Sequence, residues 1–238
     1  MSTSLLHIMS LIYLYLILTF TVFSRFSVAS LPFGHIGPEG TVIFLNGFHF
    51  VSGNTSQEIS ANHYCSIASD ELLQCVVYSA ETTPTKLAAI EYIIPSAAFE
   101  RLSEDERQLW HSHSYEVMSG FLIEPGMPPS VDHSMMGLLV DTYGKTFQTW
   151  RWDSQNSSIP LGIPQLLMGY TGNSQITPAF VGQRDEFFGV NTTAIRDSRE
   201  DISSLPIIEG ADSWKRGFVL QLALQNCTAD TTFTTPLA

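Results

Sequence analysis

Short apolar runs separated by turn residues predict a series of β-strands along much of the chain. The runs are rich in β-branched and aromatic residues, and Gly, Pro, Asn and Asp cluster between them, which is typical of strands joined by tight turns. The predicted strands cover residues 41–50, 58–69, 72–80, 86–95, 114–123 and 144–152. In the fourth run nearly every position is apolar, so we expect a strand that is buried on both faces and ends at Pro95.

Helical patterns are fewer and shorter than the strands. They cover residues 96–102, 103–110, 133–143 and 178–190. Ser103 and Glu106 have the spacing of a capping box, which marks the start of the second helix. Asp132 is a suitable N-cap for the third helix, whose apolar residues form one stripe. The last is a surface helix that we expect to end near Gly189.

The order of these elements predicts the fold class. Strands joined by short turns, with few helices between them, favour a single α+β domain with a mainly antiparallel sheet and a few short helices. Residues 159–171 are interrupted by Pro and Gly, so we expect an irregular segment that packs on the core. Residues 191–238 carry little pattern. We therefore expect a domain over residues 41–200 and a weakly patterned C-terminal tail over residues 201–238.

The N-terminal segment indicates a targeting or anchoring role. Residues 5–23 contain no Asp, Glu, Lys or Arg. A secretory signal peptide has an apolar core followed by small residues at its cleavage site, and Ser27–Ser30 supply such residues. A membrane anchor needs about 18 or more apolar residues, and this run reaches that length. We expect a cleaved signal peptide over residues 1–30 and a secreted or lumenal protein; an uncleaved anchor through residues 5–23 is the alternative.

Four N-glycosylation triplets support the secretory route. They begin at Asn54, Asn156, Asn191 and Asn226. A single Asn-X-Ser/Thr triplet is common by chance, and four of them behind a signal-like start carry more weight. Each of the four asparagines is therefore expected at the protein surface.

The three cysteines, Cys65, Cys75 and Cys227, allow one disulfide and leave one thiol. In an oxidising compartment a Cys65–Cys75 pair would suit two adjacent antiparallel strands. Alternatively, Cys75 is only a small buried apolar residue of its strand. The sequence leaves both options open.

The negative net charge of the chain argues against nucleic acid as a partner. The chain carries 11 Lys and Arg against 23 Asp and Glu, a formal net charge of −12. Removal of residues 1–30 deletes Arg25 and no acid, so 10 − 23 gives −13. Such a surface repels nucleic-acid phosphates and anionic lipid head groups. We expect no nucleic-acid partner, and solubility is the simplest role of this charge.

The segment "LWHSHSYEV" over residues 109–117 carries the strongest candidate chemistry. In an extended chain His111 and His113 face the same side, with Tyr115 next along that face. Two imidazoles so placed suit a divalent metal bound by nitrogen. Glu116 faces the opposite side of a regular strand, so it joins the pair only if the chain bends or becomes helical there.

A metal site needs further ligands, and several residues could supply them. Candidates are His49, His63, Glu91 and His133. A carboxylate inside an apolar strand must be ion-paired, metal-bound or protonated, and this makes Glu91 a strong candidate. The simpler alternatives are that Glu91 pairs with a buried Lys or Arg, and that the histidines are ordinary hydrogen-bonding residues of the core.

A set of short motifs is spread over roughly residues 45–200: "NGFHF", "ANHYCS", "QCVVY", "AAIEYII", "LWHSHSYEVMSG", "TYGKTFQTW", "PLGIPQLLM" and "FGV". In this order they resemble the oil-body-associated protein family of plant seeds, which has fungal and bacterial relatives. The sequence departs from the family pattern at Ser79, where an Asp is usual, at Ala89 in place of Gly, and at Gln148 in place of His. The N-terminal segment would make this chain a secretory-pathway, fungal-type member.

Three hypotheses for function follow. The resemblance implies a secreted or lumenal protein associated with lipid or another apolar ligand, without a settled catalytic activity. The second hypothesis is a metal-dependent enzyme with one divalent ion, zinc or iron, that acts on a small apolar metabolite as a tailoring step of specialised metabolism. Its metal ligands would be His63, His111 and His113, its catalytic carboxylates Glu116 and Glu91, and its ligand-pocket residues Trp110, Tyr115 and His49. In the third hypothesis the histidines only stabilise the core.

Overall fold

A mainly antiparallel sheet is the centre of the computed structural model, which describes residues 41–80, 85–151, 159 and 161–226. The strands of the described part are β1 Thr41–Val51, β2 Asn54–Ser69, β3 Leu72–Ser79, β4 Leu87–Pro95, β5 His111–Ser112, β6 Thr142–Gln148, β7 Gln165–Gly169 and β8 Glu209–Asp212. The described helices are α1 Ser96–Phe99, α2 Glu104–Arg107, α3 Ser114–Met118, α4 Pro129–Leu139, α5 Pro178–Phe188 and α6 Thr192–Asp197. Short 3₁₀ turns cover Asn173–Gln175 and Ser213–Arg216.

Six of the strands close into a barrel. The neighbours run β4-β3-β2-β1-β7-β6, and β4 pairs with β6 to complete the ring. Every one of these pairings is antiparallel. The short β5 pairs with the part of β6 that β7 does not reach. The prediction of a single α+β domain with a mainly antiparallel sheet is confirmed, and the closed barrel is more specific than that prediction.

Strand alternation divides the barrel into an inner and an outer face. On β4 the side chains of Ala89, Glu91 and Ile93 are buried, whereas Ile90 is 40% exposed and Tyr92 is 39% exposed. The prediction that this strand is buried on both faces is therefore wrong. The apolar side chains at these alternate positions point to the outside of the barrel, where they are partly exposed to solvent.

The inner face contains an apolar cluster and a disulfide. Val51, Ile59, Val77 and Leu167 are among its buried members. Cys65 and Cys75, which are register partners on β2 and β3, form a disulfide there. This confirms the cross-strand alternative for these two cysteines, and Cys227 lies outside the described residues.

Helix α5 and neighbouring segments cover the outer face of β1 and β7. Phe48, Phe50 and Met168 are buried in an apolar cluster against which Phe180 and Val181 of α5 pack. In the part of the chain that the structure describes, no helix is long and apolar enough to cross a membrane. The predicted signal peptide or anchor lies outside the described residues.

Two helix predictions are confirmed and one N-cap assignment is wrong. The Ser103 side chain accepts a hydrogen bond from the Glu106 N–H at 3.3 Å, as a helix N-cap does. Helix α5 ends at Gly189, which has a left-handed φ of 65°. Asp132, predicted as an N-cap, lies inside the first turn of α4, and its Oδ1 accepts a hydrogen bond from the Glu124 N–H at 2.8 Å. Pro128 occupies the N-cap position instead, because a proline pair suits a helix start.

Other segments fold differently from their sequence patterns. Residues 114–123, predicted as a strand, form helix α3 and a loop that turns at Gly120. Residues 159–171, predicted as irregular, contain β7, whose backbone hydrogen bonds with β1 and β6 close the barrel. The C-terminal region with little pattern contains α6 and β8. In each case contacts with distant parts of the chain outweigh local propensity.

The described asparagines of the glycosylation triplets are exposed. Asn54 begins β2, Asn191 precedes α6, and Asn226 is near the end of the described chain. The Asn191 side chain also caps α6 by accepting a hydrogen bond from the Ala194 N–H at 2.9 Å. Asn156 lies outside the described residues. The exposed positions meet the steric requirement for glycosylation and leave the modification itself a prediction.

Candidate metal centre

Four histidines and one glutamate from separate elements converge inside the barrel. His49 lies on β1, His63 on β2, Glu91 on β4 and His111 on β5, and His113 immediately precedes α3. None of the five side chains is more than 3% exposed. Strand alternation turns the first three inward, so residues far apart in sequence face one another.

The Glu91 carboxylate lies at the centre of the four imidazoles. Its Oε2 is 2.8 Å from His63 Nε2 and 3.4 Å from His49 Nε2. Its Oε1 is 3.3 Å from His113 Nε2 and 3.7 Å from His111 Nε2. The Nε2 atoms of His49 and His63 are 3.1 Å apart. Every ion-pair partner of Glu91 among the described residues is thus a histidine, and the alternative of a buried Lys or Arg partner does not hold.

Helix α3 brings a second carboxylate to this cluster. Glu116 Oε2 lies 3.9 Å from His111 Nε2. The sequence made this approach conditional on a bend or a helix, and α3 begins at Ser114. Among the described residues, two overlapping groups have the geometry to hold a metal ion, each with ligand atoms within 4.8 Å of one another. The groups are His49, Glu91 and His111, and His111, His113 and Glu116.

Strands β6 and β8 hold the two-histidine segment from opposite sides. His111 pairs with Gly144 of β6. On the other side the Asp212 carboxylate accepts hydrogen bonds from the Ser112 N–H at 3.0 Å and the Ser112 hydroxyl at 2.7 Å. Asp212 has a left-handed φ of 51°, which costs a non-glycine residue about 1–3 kcal/mol. Strand alternation places Ser112 on the side opposite His111 and His113, where these two hydrogen bonds hold it against β8.

Two glycines provide the space that the cluster occupies. A Cβ on Gly144 would overlap Glu91 Oε1 and would lie 2.7 Å from His111 Nε2. A Cβ on Gly169 of β7 would lie 2.9 Å from His111 Cδ2 and 3.1 Å from the Glu116 carboxylate. Any side chain at either position would displace groups of the candidate centre.

A hydrogen-bond chain sets the tautomer of His113. The Thr142 hydroxyl donates to the Leu139 carbonyl at 2.7 Å, so its oxygen accepts from His113 Nδ1–H at 2.8 Å. In the neutral imidazole Nε2 then carries the lone pair and faces Glu91 Oε1. Two acceptors 3.3 Å apart need a proton or a metal cation between them.

Burial and mutual charge shift the pKa values of the cluster. Burial would raise the pKa of Glu91, but the charge of His63 and hydrogen bonds from His113, His49 and His63 outweigh it, and the pKa lies well below its ordinary value. Burial lowers the pKa of His49, and lowers that of His111 well below its ordinary value. Burial, reinforced by Glu91 and Asp212, raises the pKa of Glu116 well above its ordinary value. In the metal-free cluster the surroundings thus favour the ionised form of Glu91, the protonated form of Glu116 and the neutral form of His111.

The structure brings most of the predicted site residues together. His63, His111, His113, Glu91 and Glu116 meet as described, and His49, predicted to line a pocket, belongs to the same cluster.

Three other predicted candidates lie elsewhere. The Trp110 indole packs in a separate cluster with Phe99, and its Nε1 donates to Glu106 at 2.9 Å. The Tyr115 hydroxyl donates to Asn173. His133 pairs at the surface with Asp201 at 2.8 Å.

Two further polar side chains point into the barrel from β6. They are Thr146 and Gln148, which are fully buried and lie on the same strand face as Gly144. Their register partners on β4 are Glu91 and Ala89, respectively. Neither the Thr146 hydroxyl nor the Gln148 amide has a hydrogen-bond partner in the described protein. Sequence reasoning marked Gln148 as a departure from the family pattern, and it missed Thr146, Gly144, Gly169 and Asp212 because their roles depend on cross-strand register.

By fold and site, this protein is a closed antiparallel β-barrel with a buried histidine–carboxylate centre. Residues 38–203 match the family model described as "Protein of unknown function (DUF1264)". The chain is 37% identical to oil body-associated protein 2C of Arabidopsis thaliana over 182 residues, covering 74% of this chain and 76% of that protein. It is 33% identical to oil body-associated protein 1B of the same plant, covering 75% and 74%, and 31% identical to oil body-associated protein 1A of Zea mays, covering 67% and 66%.

The chain therefore belongs to the DUF1264 family, and it belongs with these oil body-associated proteins, as the sequence motifs predicted. No solved structure matches it.

Proposed function

We propose that this protein is a metalloprotein whose barrel holds one divalent transition-metal ion, zinc or iron. The observation that carries the proposal is the convergence of four imidazole Nε2 atoms within 3.7 Å of one buried carboxylate. A core that only needed stability would not gain from so many buried polar groups, because each costs free energy when it leaves water. Imidazole nitrogen with carboxylate oxygen is a donor set that suits zinc and non-haem iron.

The residues of the cluster divide into ligands and supporting groups. We assign His63, His111 and His113 as the ligands predicted from the sequence, and add His49 and Glu91. Thr142 fixes the His113 tautomer, as partners of metal-bound histidines commonly do. A bound ion would act as a Lewis acid or would activate water.

Glu116 is the candidate proton donor beside this centre. In the metal-free protein, burial and the neighbouring Glu91 and Asp212 raise the pKa of its carboxyl, which favours the protonated form that a proton donor needs. Apolar residues Leu45, Val117 and Leu122 form a buried cluster on neighbouring elements. We propose on these grounds that the centre acts on a small apolar molecule. The Glu116 carboxyl would transfer a proton in that reaction.

Metal content tests the proposal directly. The full chain is purified without chelators or affinity metals, offered zinc or iron, desalted and analysed by mass spectrometry. We expect about one equivalent in the wild type and in the His133→Ala control, whose histidine is half-buried near the surface and lies outside the cluster. We expect loss of the metal in the His111→Ala/His113→Ala variant with an unchanged circular dichroism spectrum. A wild type that takes up neither metal would refute the proposal.

A second proposed function is association with lipid. It is supported by the printed names of the relatives, which are oil body-associated proteins. It is compatible with a metal centre, because the centre is inside the barrel and a lipid surface would contact the outside. The metal and lipid proposals therefore have separate tests.

We also propose that the chain enters the secretory pathway. The uncharged run over residues 5–23 and the exposed Asn54, Asn191 and Asn226 support this route. The relatives' names refer to oil bodies and do not themselves indicate secretion. Expression in a eukaryotic host should yield a chain that lacks residues 1–30 and gains mobility after glycosidase treatment. A chain that keeps its first residues and carries no glycan would contradict the route.

A further inference from the structure

A patch of aromatic and aliphatic side chains, some exposed and some half-buried, lies on the outer side of β1 to β4. Phe44, Tyr64, Val76 and Ile90 are successive register partners on four adjacent strands and therefore form one row on one face. Together with their neighbours they form what we term the aromatic face, which consists of Phe44, Tyr64, Val76, Tyr78, Ile90, Tyr92, Phe187 and Phe188.

Ring contacts join the aromatic residues of β1, β2, β3 and the end of α5. The Phe44 and Tyr64 ring centroids are 5.0 Å apart, and those of Tyr64 and Tyr78 are 5.7 Å apart. Phe44 also lies 6.3 Å from Phe188 at the end of α5, and Phe188 lies 4.8 Å from Phe187. Phe187 is 69% exposed and Tyr64 is 42% exposed. Contiguous apolar surface of this kind is a common mark of an interaction site.

The aromatic face is held rigidly by the barrel beneath it. Its strands are bonded on both sides, and the Cys65–Cys75 disulfide joins β2 and β3 directly behind the row. Cys65 follows Tyr64 and Cys75 precedes Val76, so the disulfide faces the interior while these two residues face out. A preformed surface loses little conformational freedom on binding.

We infer that the aromatic face docks this protein on an uncharged lipid surface. The inference rests on the proposed lipid association and names the residues that would perform it. None of the eight residues is charged, although the chain has a net charge of −12. Three of the eight are tyrosines, whose rings combine an apolar body with a polar hydroxyl and suit a lipid–water boundary. The acidic remainder of the chain disfavours anionic lipids, so the surface we assign is triacylglycerol coated with zwitterionic phosphatidylcholine.

Flotation of the full chain with droplets of triolein and phosphatidylcholine tests this assignment. The test variant is Tyr64→Ser/Ile90→Ser/Phe187→Ser. The matched control is Leu138→Ser/Leu205→Ser/Leu224→Ser, which removes three residues that are 72%, 60% and 85% exposed and lie outside the aromatic face. We expect the test variant to partition onto droplets at least roughly tenfold less than the wild type, and the control to partition like the wild type.

Each outcome of this experiment decides one point. Circular dichroism and metal content of the test variant must match the wild type, which separates lost docking from lost fold. A wild type that floats while the test variant floats equally well overturns the assignment of the face and leaves lipid association standing. A wild type that does not float refutes the lipid proposal and the inference with it. A test variant that floats normally and loses self-association on gel filtration would instead make the face an interface between copies of the chain.

Discussion

Gly144 shows how closely single residues constrain the candidate centre. It is the register partner of His111 on β6, and a Cβ at this position would overlap the Glu91 carboxylate. Glycine is required here for space, because backbone and imidazole approach too closely for any side chain. Sequence reasoning reached the charged and aromatic candidates and missed this position, because a glycine in a strand carries no chemical signature of its own.

The substitution Gly144→Ala is expected to disrupt the cluster. It should displace Glu91 or His111, lower metal content below half of the wild-type value and destabilise the fold by about 1–3 kcal/mol, the usual cost of overpacking. Mass spectrometry of the metal and urea unfolding measure the two effects. Gly137→Ala is the matched control, because a Cβ at this position in α4 meets no atom within 4 Å. The control should leave metal content unchanged and raise stability by up to about 1 kcal/mol. Equal behaviour of the two variants would rule out the steric role of Gly144.

At the scale of elements, most of the barrel strands could be predicted and two tertiary elements could not. Runs rich in β-branched and aromatic residues between turn residues predict β1 to β4 and β6, with ends that differ by a few residues from the structure. Helix α3 has the β-forming residues Tyr115 and Val117, and local propensity favours a strand. Helical geometry instead buries Val117 and turns Glu116 toward His111. Strand β7 is short and follows Pro164, so its pairing with both β1 and β6 has no local signal.

At the scale of the whole molecule, barrel closure joins ligands that the sequence presents separately. The two-histidine motif, His63 and Glu91 could be selected from the sequence because buried carboxylates and closely spaced histidines are unusual. Their convergence with His49 depends on β1, β2 and β4 curving around one interior, which requires β4 to pair with β6. Closure also turns Tyr64, Val76 and Ile90 to the outside of β2 to β4, so one topology provides both the buried centre and the aromatic face.

The protonation of the buried centre makes the stability of the protein depend on pH. In the metal-free protein burial lowers the pKa values of His49 and His111 from 6.5, so the unfolded chain binds these protons more readily. Their contribution to stability is present above pH 6.5 and is lost as the pH falls. The pKa of Glu116 is raised above 4.5, so its contribution has the opposite sign and is lost as the pH rises through the folded-state pKa. Glu91, with a pKa well below 4.5, contributes a constant amount between pH 5 and pH 7.

The variant Glu116→Gln should therefore raise the stability of the metal-free protein at pH 7 and steepen its loss of stability between pH 6.5 and pH 5. Each linked proton changes the free energy of unfolding by about 1.4 kcal/mol per pH unit. The variant removes the Glu116 proton, whose effect on this slope is opposite to that of the His49 and His111 protons. Urea unfolding of the chelator-treated protein at pH 5, 6 and 7 measures the slope. Glu200→Gln, at an exposed glutamate outside the cluster, should leave the slope unchanged. If Glu116→Gln had the wild-type slope of unfolding free energy against pH, the Glu116 carboxyl of the wild type would be ionised in the folded chain. The proposed role of Glu116 as a proton donor would then fail.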